Sequence, residues 1–292
     1  MTYNPQKTGS MKTIKRYAFI ATMGLLVVAL GFSFNGCKQA KEEGESEKEK
    51  AKQEKITKSD IKEDVSEVVY PLPSNFEIAE TLNEIGASFI ISLSNDVENV
   101  NKYVTEEKQA LNLGVYSADL SYATTYNMKQ YSMDYMDVSR QLVNELGITG
   151  AYSPEFIENI KKNFDNKDKL VEMVTNAFYN TYKYMRQQGK EELSMMVVAG
   201  TWIEAMYITT HVSENTFHNK KIVDLILEQE KTLDKLINLL EPHTDNATIE
   251  KVLKDLKPIQ TVYENRKETG FTKKQVEKIK SLSGEARKGL IS

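Results

Sequence analysis

A shortage of turn-forming residues constrains the fold of this chain more than any other feature. The chain has 14 glycines and 6 prolines, together 20 of 292 residues, about half of the roughly 12% found in average proteins. Turn-rich β folds and proline-rich disordered chains both need more of these residues. Hydrophobic residues make up 40% of the chain and charged residues 27%, as in ordinary soluble domains. The composition therefore argues against those two classes and is typical of a globular protein.

Helix start and stop signals recur along the chain. Ser74–Glu77 and Thr272–Gln275 are capping boxes, and Ser153-Pro154-Glu155 places an N-cap, a proline and an acid in one first turn. Gly147 and Gly189 follow periodic runs, as glycines do at helix C-termini. With the apolar periodicity, these signals predict helices near 75–94, 106–127, 129–146, 154–164, 168–188, 191–211, 220–241, 246–257, 259–268 and 273–288.

One predicted helix is apolar on nearly all sides. Between Leu193 and Ile208 the only charged residue is Glu204. A helix of this kind belongs in the centre of a bundle. A second membrane span is the alternative, but the segment is short for a bilayer of roughly 30 Å and contains a carboxylate.

The helical region contains an apparent internal duplication. Three segments recur in the same order, with offsets of 85, 94 and 92 residues: Asp119–Thr125 as Glu204–Thr210, Leu142–Leu146 as Leu236–Leu240, and Ile157–Phe164 as Ile249–Leu256. The polar stretch 212–220 offers a place for the longer loop that the larger offsets need. We therefore predict an all-α domain over 71–292, a helical bundle or short α-solenoid of two duplicated units (about 75–166 and 167–268) closed by helix 273–288.

The N-terminal residues have the features of a secretory leader. A basic cluster ending at Arg16 precedes seventeen uncharged, mostly apolar residues, Ala18 to Phe34, and the run ends at Gly36-Cys37. Because Cys37 is the only cysteine of the chain, no intramolecular disulfide or cysteine-cluster metal site can form. Met11 is an alternative start, and a plain transmembrane anchor is the alternative to a cleaved leader.

The leader resembles the lipobox of bacterial lipoproteins, in a relaxed form that has Phe34 and Asn35 before the small residue Gly36. The resemblance implies that residues 1–36 are a signal peptide and that Cys37 becomes the lipid-modified N-terminus. It places the mature protein in the cell envelope, attached to a membrane, as an outer-membrane lipoprotein facing either the periplasm or the exterior.

A charged tether is predicted over 37–70. From Lys38 to Asp64 there are eight lysines and nine acids with few large apolar side chains, a composition that does not support a packed core. A flexible chain of this length spans on the order of 30 Å. Removal of residues 1–36 would leave 34 basic and 42 acidic residues, a net charge of −8. Since nucleic-acid binding requires a basic surface, a nucleic-acid partner is not expected.

Two acids stand out as candidate functional residues because they lie on apolar helices. Asp119 precedes Tyr122 by three residues and Glu204 precedes Tyr207 by three, so each carboxylate and phenol share a helix face. One interpretation is a polar ligand pocket between the units, lined by Asp119, Tyr122, Glu204 and Tyr207. The other is a structural role, with each acid bonded to a tyrosine, a threonine or an arginine such as Arg140 or Arg186.

Other chemistry has little support in the sequence. The three histidines, His211, His218 and His243, lack the spacing of a metal site, and no nucleophile elbow or phosphate-binding loop occurs. No catalytic residue, cofactor or metal is therefore predicted. His211 is expected at a helix C-terminus. A cluster of tyrosines on two consecutive helices is either core packing or a recognition surface: Tyr116, Tyr122, Tyr126, Tyr131 and Tyr135.

Two classes of function follow. The preferred interpretation is a membrane-attached, non-catalytic scaffold that binds a small ligand or an envelope protein. The alternative is an envelope enzyme that uses Asp119 and Glu204 as an acid/base pair. A solvent-open pocket joining the two carboxylates would favour the enzyme, and sealed, fully bonded carboxylates would favour the scaffold.

Overall fold

The fold is all-α, as predicted. A computed structural model describes residues 75–149, 154–163 and 165–292. In these residues the chain forms ten α-helices and no strand: α1 Asn75–Glu84, α2 Glu106–Thr125, α3 Lys129–Glu145, α4 Pro154–Lys162, α5 Lys167–Gln187, α6 Glu191–His211, α7 Lys220–Glu228, α8 Glu230–Leu240, α9 Ala247–Glu264 and α10 Lys273–Ile291.

Helices α2 and α6 form the centre of the bundle. Every residue of α2 from Gln109 to Thr125 is buried, and so is every residue of α6 from Ser194 to Met206. The central position predicted for the apolar segment is thereby confirmed. Helices α1, α3, α5 and α10 pack around this pair. Within the described ranges, no helix is both long and apolar enough to span a membrane.

Two glycines allow the backbones of α2 and α6 to touch. A Cβ atom on Gly114 would lie 2.1 Å from the carbonyl oxygen of Val197, and one on Gly200 would lie 2.0 Å from that of Leu111. The Thr201 hydroxyl also donates a hydrogen bond to the Gly114 carbonyl, at 3.1 Å. Because no larger residue fits at either position, this contact fixes the spacing of the two central helices.

The central helices run in the same direction. Lys190 at the start of α6 pairs with Glu106 at the start of α2, at 2.7 Å. Towards the other ends, Tyr122 of α2 and Ile208 of α6 line one small cavity. Residues at similar heights therefore face each other along the pair, and this brings Asp119 near Glu204.

The prediction of a helix over 75–94 was wrong beyond Glu84, where α1 ends. The Ala87 N–H donates to the Leu82 carbonyl and Gly86 has a φ of 78°, which closes the helix end in a left-handed turn. Residues 87–105, here called the strap, then cross the bundle without an α-helix. The strap contains two short 3₁₀ turns, Ile91–Leu93 and Val97–Lys102.

Two other boundaries also differ from expectation. The helix predicted over 220–241 is broken at Gln229, whose ψ of −8° interrupts the helix and lets α7 and α8 each bury an apolar stripe. The helices predicted over 246–257 and 259–268 are one helix, α9, which continues through Pro258. Pro258 lies on the exposed side, where water can satisfy the carbonyl that loses its helical partner.

The cap signals within the described residues are confirmed. Thr272 and Gln275 form a reciprocal capping box at the start of α10. Gly147 and Gly189 have φ values of 68° and 71° just past the ends of α3 and α5, as C-terminal caps do. Capping residues Ser74 and Ser153 lie outside the described residues, as do the predicted signal peptide (1–36), Cys37 and the tether (37–70).

The internal duplication stays a prediction. Facing residues of α2 and α6 follow an offset close to the 85 residues of the sequence match, as in the Glu106–Lys190 ion pair. However, α3 is continuous whereas the matching part of the second unit is divided into α7 and α8.

Candidate functional site

The two acids predicted from the sequence lie together in the interior. Asp119 of α2 and Glu204 of α6 both have an exposed fraction of 0%. The two carboxyl groups are close enough to affect each other's ionisation, since the charge of Glu204 raises the pKa of Asp119. The two residues lie close together because α2 and α6 run parallel and both residues are at the same level along the bundle.

Arg287 of α10 is the counterion of Glu204. Its Nε donates to Glu204 Oε2 at 2.7 Å and its Nη2 donates to Oε1 at 2.9 Å. Nη2 also donates to the Leu93 carbonyl of the strap, at 2.8 Å. Because Arg287 is only 8% exposed, this charge pair is almost completely removed from water. Three parts of the chain meet at it: α6, α10 and the strap.

The prediction that Arg140 or Arg186 pairs with the two acids was wrong. Arg140 pairs with Asp137, and Arg186 pairs with Glu191, both at the surface. Arg287 does carry a sequence signal that could have found it. It lies on the buried face of α10, in register with Ile279, Ser283 and Leu290 at the spacing of helical turns. A cation in such a stripe requires a buried acid.

Asp119 is less well satisfied than Glu204. Its Oδ2 accepts a hydrogen bond from the Asn95 N–H of the strap, at 3.0 Å. Its Oδ1 is buried and makes no hydrogen bond, and neither does the hydroxyl of the preceding strap residue, Ser94. The Ser94 hydroxyl still lies close enough to act on Asp119, since it favours the ionised form of the acid. Unpartnered buried polar atoms are rare and call for a physical explanation.

Burial changes the ionisation of all three charged side chains. It raises the pKa of Asp119 well above its usual range, the charge of Glu204 raises it further, and the charge of Arg287 opposes the shift. Burial also raises the pKa of Glu204, against the effect of Arg287. For Arg287 burial acts to lower the pKa, but the charges of Glu204 and Asp119 outweigh it, so the pKa is raised.

Tyr122 and Tyr207, the other predicted pocket residues, bond elsewhere. The Tyr122 hydroxyl accepts from the Ile90 N–H at 3.0 Å and donates to the Ser88 carbonyl at 3.2 Å, so it holds the strap. The Tyr207 ring lies beneath the Arg287 guanidinium, 4.3 Å from ring centroid to Cζ. Tyr207 thus stabilises the cation through its π face.

The predicted tyrosine cluster consists largely of strap anchors and core residues. Tyr116 donates to the Asp96 carbonyl at 2.8 Å and Tyr126 donates to the Ala87 carbonyl at 2.8 Å. Tyr135 is buried and stacks on Tyr116. Tyr131, by contrast, is 40% exposed. The sequence did not reveal this role, because the hydroxyls of Tyr116, Tyr122 and Tyr126 bind backbone groups in a segment predicted to be partly helical.

The cavity beside Tyr122 is too small for an organic ligand. It measures about 10 Å³, room for about one water molecule. It is lined mainly by apolar side chains, among them Leu82, Ala118 and Ile208, and neither acid reaches it. A shallow surface depression of about 460 Å³ lies elsewhere, around Ser213 and Lys221.

His211 is the last residue of α6, as expected, but its surroundings do not favour a charge. Burial lowers its pKa, and its Nδ1 lies 2.8 Å from the Tyr207 carbonyl. Its ring stacks on Tyr207 at 4.1 Å. Across the described part of the chain, no group of three or more histidine, cysteine or acidic side chains could hold a metal ion.

Comparison with protein-family models, with curated proteins and with solved structures gives no match for this chain. The cluster of Asp119, Glu204 and Arg287 joins the two central helices, α2 and α6, to the C-terminal helix and the strap. Both oxygens of Glu204 bind the guanidinium.

Proposed function

We propose that the protein is a membrane-attached lipoprotein of the cell envelope, lipidated at Cys37, whose helical domain is a non-catalytic scaffold for binding a small ligand or an envelope protein. The attachment is supported by the single cysteine at the end of the apolar leader. The non-catalytic role is supported by the closed state of the two acids, which have no exposed surface.

The closed cluster is the observation that carries the preference for a scaffold. A general acid or base must come within hydrogen-bonding distance of its substrate. Glu204 has both oxygens bound to Arg287, and Asp119 lies beneath the strap residues 94 and 95. An enzyme using this pair would have to break a buried ion pair and displace the strap before each turnover. A structural role requires neither step.

Substitution of the cysteine tests the attachment. Cys37→Ser should abolish incorporation of a labelled fatty acid, and it should release the chain from the membrane fraction or leave it as an uncleaved precursor. Ser33→Ala, within the same apolar run, is the matched control and should behave as wild type. A Cys37→Ser chain of unchanged size and unchanged detergent partitioning would contradict lipidation and favour a plain transmembrane anchor.

Native mass spectrometry of the wild-type protein purified from its own envelope extends the same experiment. The N-terminal fragment should begin at Cys37 and carry the mass of the lipid. The intact protein should carry a non-covalent small molecule or a stoichiometric protein partner. A lipidated chain that never carries either would count against the binding role while leaving the attachment intact.

A further inference from the structure

The charges of the closed cluster do not balance if both acids are ionised. Asp119 and Glu204 would bring two negative charges and Arg287 one positive charge, while both acids have an exposed fraction of 0%. An uncompensated charge in such a site is costly, and an acid there takes up a proton instead. One proton in the cluster would make it neutral.

The hydrogen bonds of the two acids favour a proton on Asp119 over one on Glu204. Glu204 receives two hydrogen bonds from the guanidinium, an arrangement that favours the ionised form. Asp119 receives a single backbone N–H, and its Oδ1 makes no hydrogen bond. The nearby Ser94 hydroxyl acts to lower the pKa of Asp119, but burial raises that pKa by more. A proton on Oδ1 would turn this unpartnered acceptor into a donor beside the Glu204 carboxylate, whose oxygens each keep a free lone pair.

We propose that Asp119 is a protonated carboxylic acid that donates to Glu204, and that this proton fastens the middle of the strap, residues 93–95, to the bundle, so that its loss at raised pH loosens this part of the strap. The proposal concerns the ionisation and mobility of the domain and does not depend on the proposed function.

The strap is coupled to the proton through two backbone contacts. The Asn95 N–H donates to Asp119 and the Leu93 carbonyl accepts from Arg287. When Asp119 loses its proton, a second negative charge appears beside Glu204 and competes for the single guanidinium. The contact that Arg287 makes with Leu93 weakens as a result. An ionised Asp119 is a stronger acceptor for the Asn95 N–H, but one such bond does not compensate a second buried charge, and solvation of that charge requires residues 93–95 to move aside.

Asp119 is the member of the cluster whose charge changes with pH, because its ionisable neighbours keep their charge states. Burial raises the pKa of the tyrosines that face the cluster from the strap, α2 and α3, so they stay neutral: Tyr103, Tyr116, Tyr122 and Tyr135. Tyr207 of α6 lies against Arg287 of α10, and His211 behind it is kept neutral because burial lowers its pKa. Glu204 stays paired with Arg287.

The direction of the pH effect follows from proton linkage. An unfolded aspartic acid has a pKa of about 4, and the pKa of Asp119 in the folded protein lies well above its usual range. Between these two values the folded state binds more protons than the unfolded state. The free energy of unfolding therefore falls as pH rises through this window, and it levels off above the folded pKa.

Infrared spectroscopy and hydrogen exchange of the full chain test the proposal. At neutral pH the wild type should show the carbonyl band of a buried protonated carboxylic acid, which Asp119→Asn should lack. The protection factor of the Asn95 amide should fall with rising pH in the wild type and stay constant in Asp119→Asn. Asp96→Asn, which changes a neighbouring strap acid that caps a 3₁₀ turn, should leave both results as in the wild type.

A wild-type measurement keeps the test decisive if Asp119→Asn fails to fold. In a ¹³C NMR titration of labelled aspartate carboxyl groups, one aspartate should titrate far above the others. A titration in which every aspartate ionises in the ordinary acidic range would overturn the proposal. So would a protonated-acid band that persists in folded Asp119→Asn, or Asn95 protection that does not depend on pH in the wild type.

Discussion

Arg287 makes the burial of Glu204 tolerable because a guanidinium offers coplanar donors to both carboxylate oxygens. Its remaining donor capacity reaches the Leu93 carbonyl, and its face rests on Tyr207. A lysine at this position would present one compact charge and could not reproduce the planar contact. At the scale of single residues, Arg287 therefore holds together α6, α10 and the strap, which are distant in sequence.

The phenol of Tyr122 is a second link between core and strap, and its removal should be measurable. In Tyr122→Phe the Ile90 N–H and the Ser88 carbonyl lose their partner. We expect the free energy of unfolding to fall by about 1 to 3 kcal/mol, the usual effect of leaving partly buried polar groups unpaired. Denaturant unfolding measures the change.

Tyr131→Phe is the matched control for this substitution. Tyr131 lies in the same tyrosine cluster but is 40% exposed, so loss of its hydroxyl should change stability by less than about 0.5 kcal/mol. Equal effects of the two substitutions would show that Tyr122 does not hold the strap through its hydroxyl.

At the scale of helices, the contact of α2 with α6 depends on two positions without side chains. Helix interiors normally favour alanine over glycine by about 1 kcal/mol. At positions 114 and 200 glycine is favoured over alanine instead, because each residue lies against the backbone of the partner helix. The close approach also sets the distance at which the two buried acids meet Arg287.

Alanine substitutions should therefore destabilise the protein at these glycines. For Gly114→Ala and Gly200→Ala we expect a loss of about 1 to 3 kcal/mol, because the new methyl group meets a carbonyl that cannot rotate away. Denaturant unfolding of each single variant gives the values.

Gly284→Ala in α10 provides the comparison. A Cβ atom there would lie 3.6 Å from the His211 ring, an ordinary contact, so this variant should be unchanged or more stable by up to about 1 kcal/mol. Stability gains at Gly114 or Gly200 similar to that at Gly284 would contradict the close packing of α2 and α6.

At the scale of the whole molecule, local signals in the sequence predicted the elements better than the contacts between them. The central helix α6 could be predicted because apolar residues surround Glu204 on all sides. The strap was predicted to be partly helical, since the residues after Glu84 continue a helical pattern that the turn at Gly86 ends.

The candidate site was predicted only in part, because local signals identify single residues but not their partners. Asp119 and Glu204 were recognisable as acids on apolar helices, and the structure brings them together. Their actual partners depend on contacts between residues 83 and 194 positions apart, Arg287 with Glu204 and Arg287 with Leu93. Spacing along α10 marks Arg287 as a buried cation, but it does not say which acid Arg287 meets, because that contact joins two different helices.

Equilibrium unfolding of Glu204→Gln is the most direct test of the claim that the charge cluster stabilises the fold. Glutamine keeps the shape of the side chain but removes the charge that balances Arg287. We expect the free energy of unfolding to fall, but by less than the about 3 to 5 kcal/mol seen when a buried charge is left without any partner, because Asp119 can lose its proton and balance part of the Arg287 charge. An unchanged or higher unfolding midpoint would contradict the structural role and would make Glu204 a candidate for a functional site.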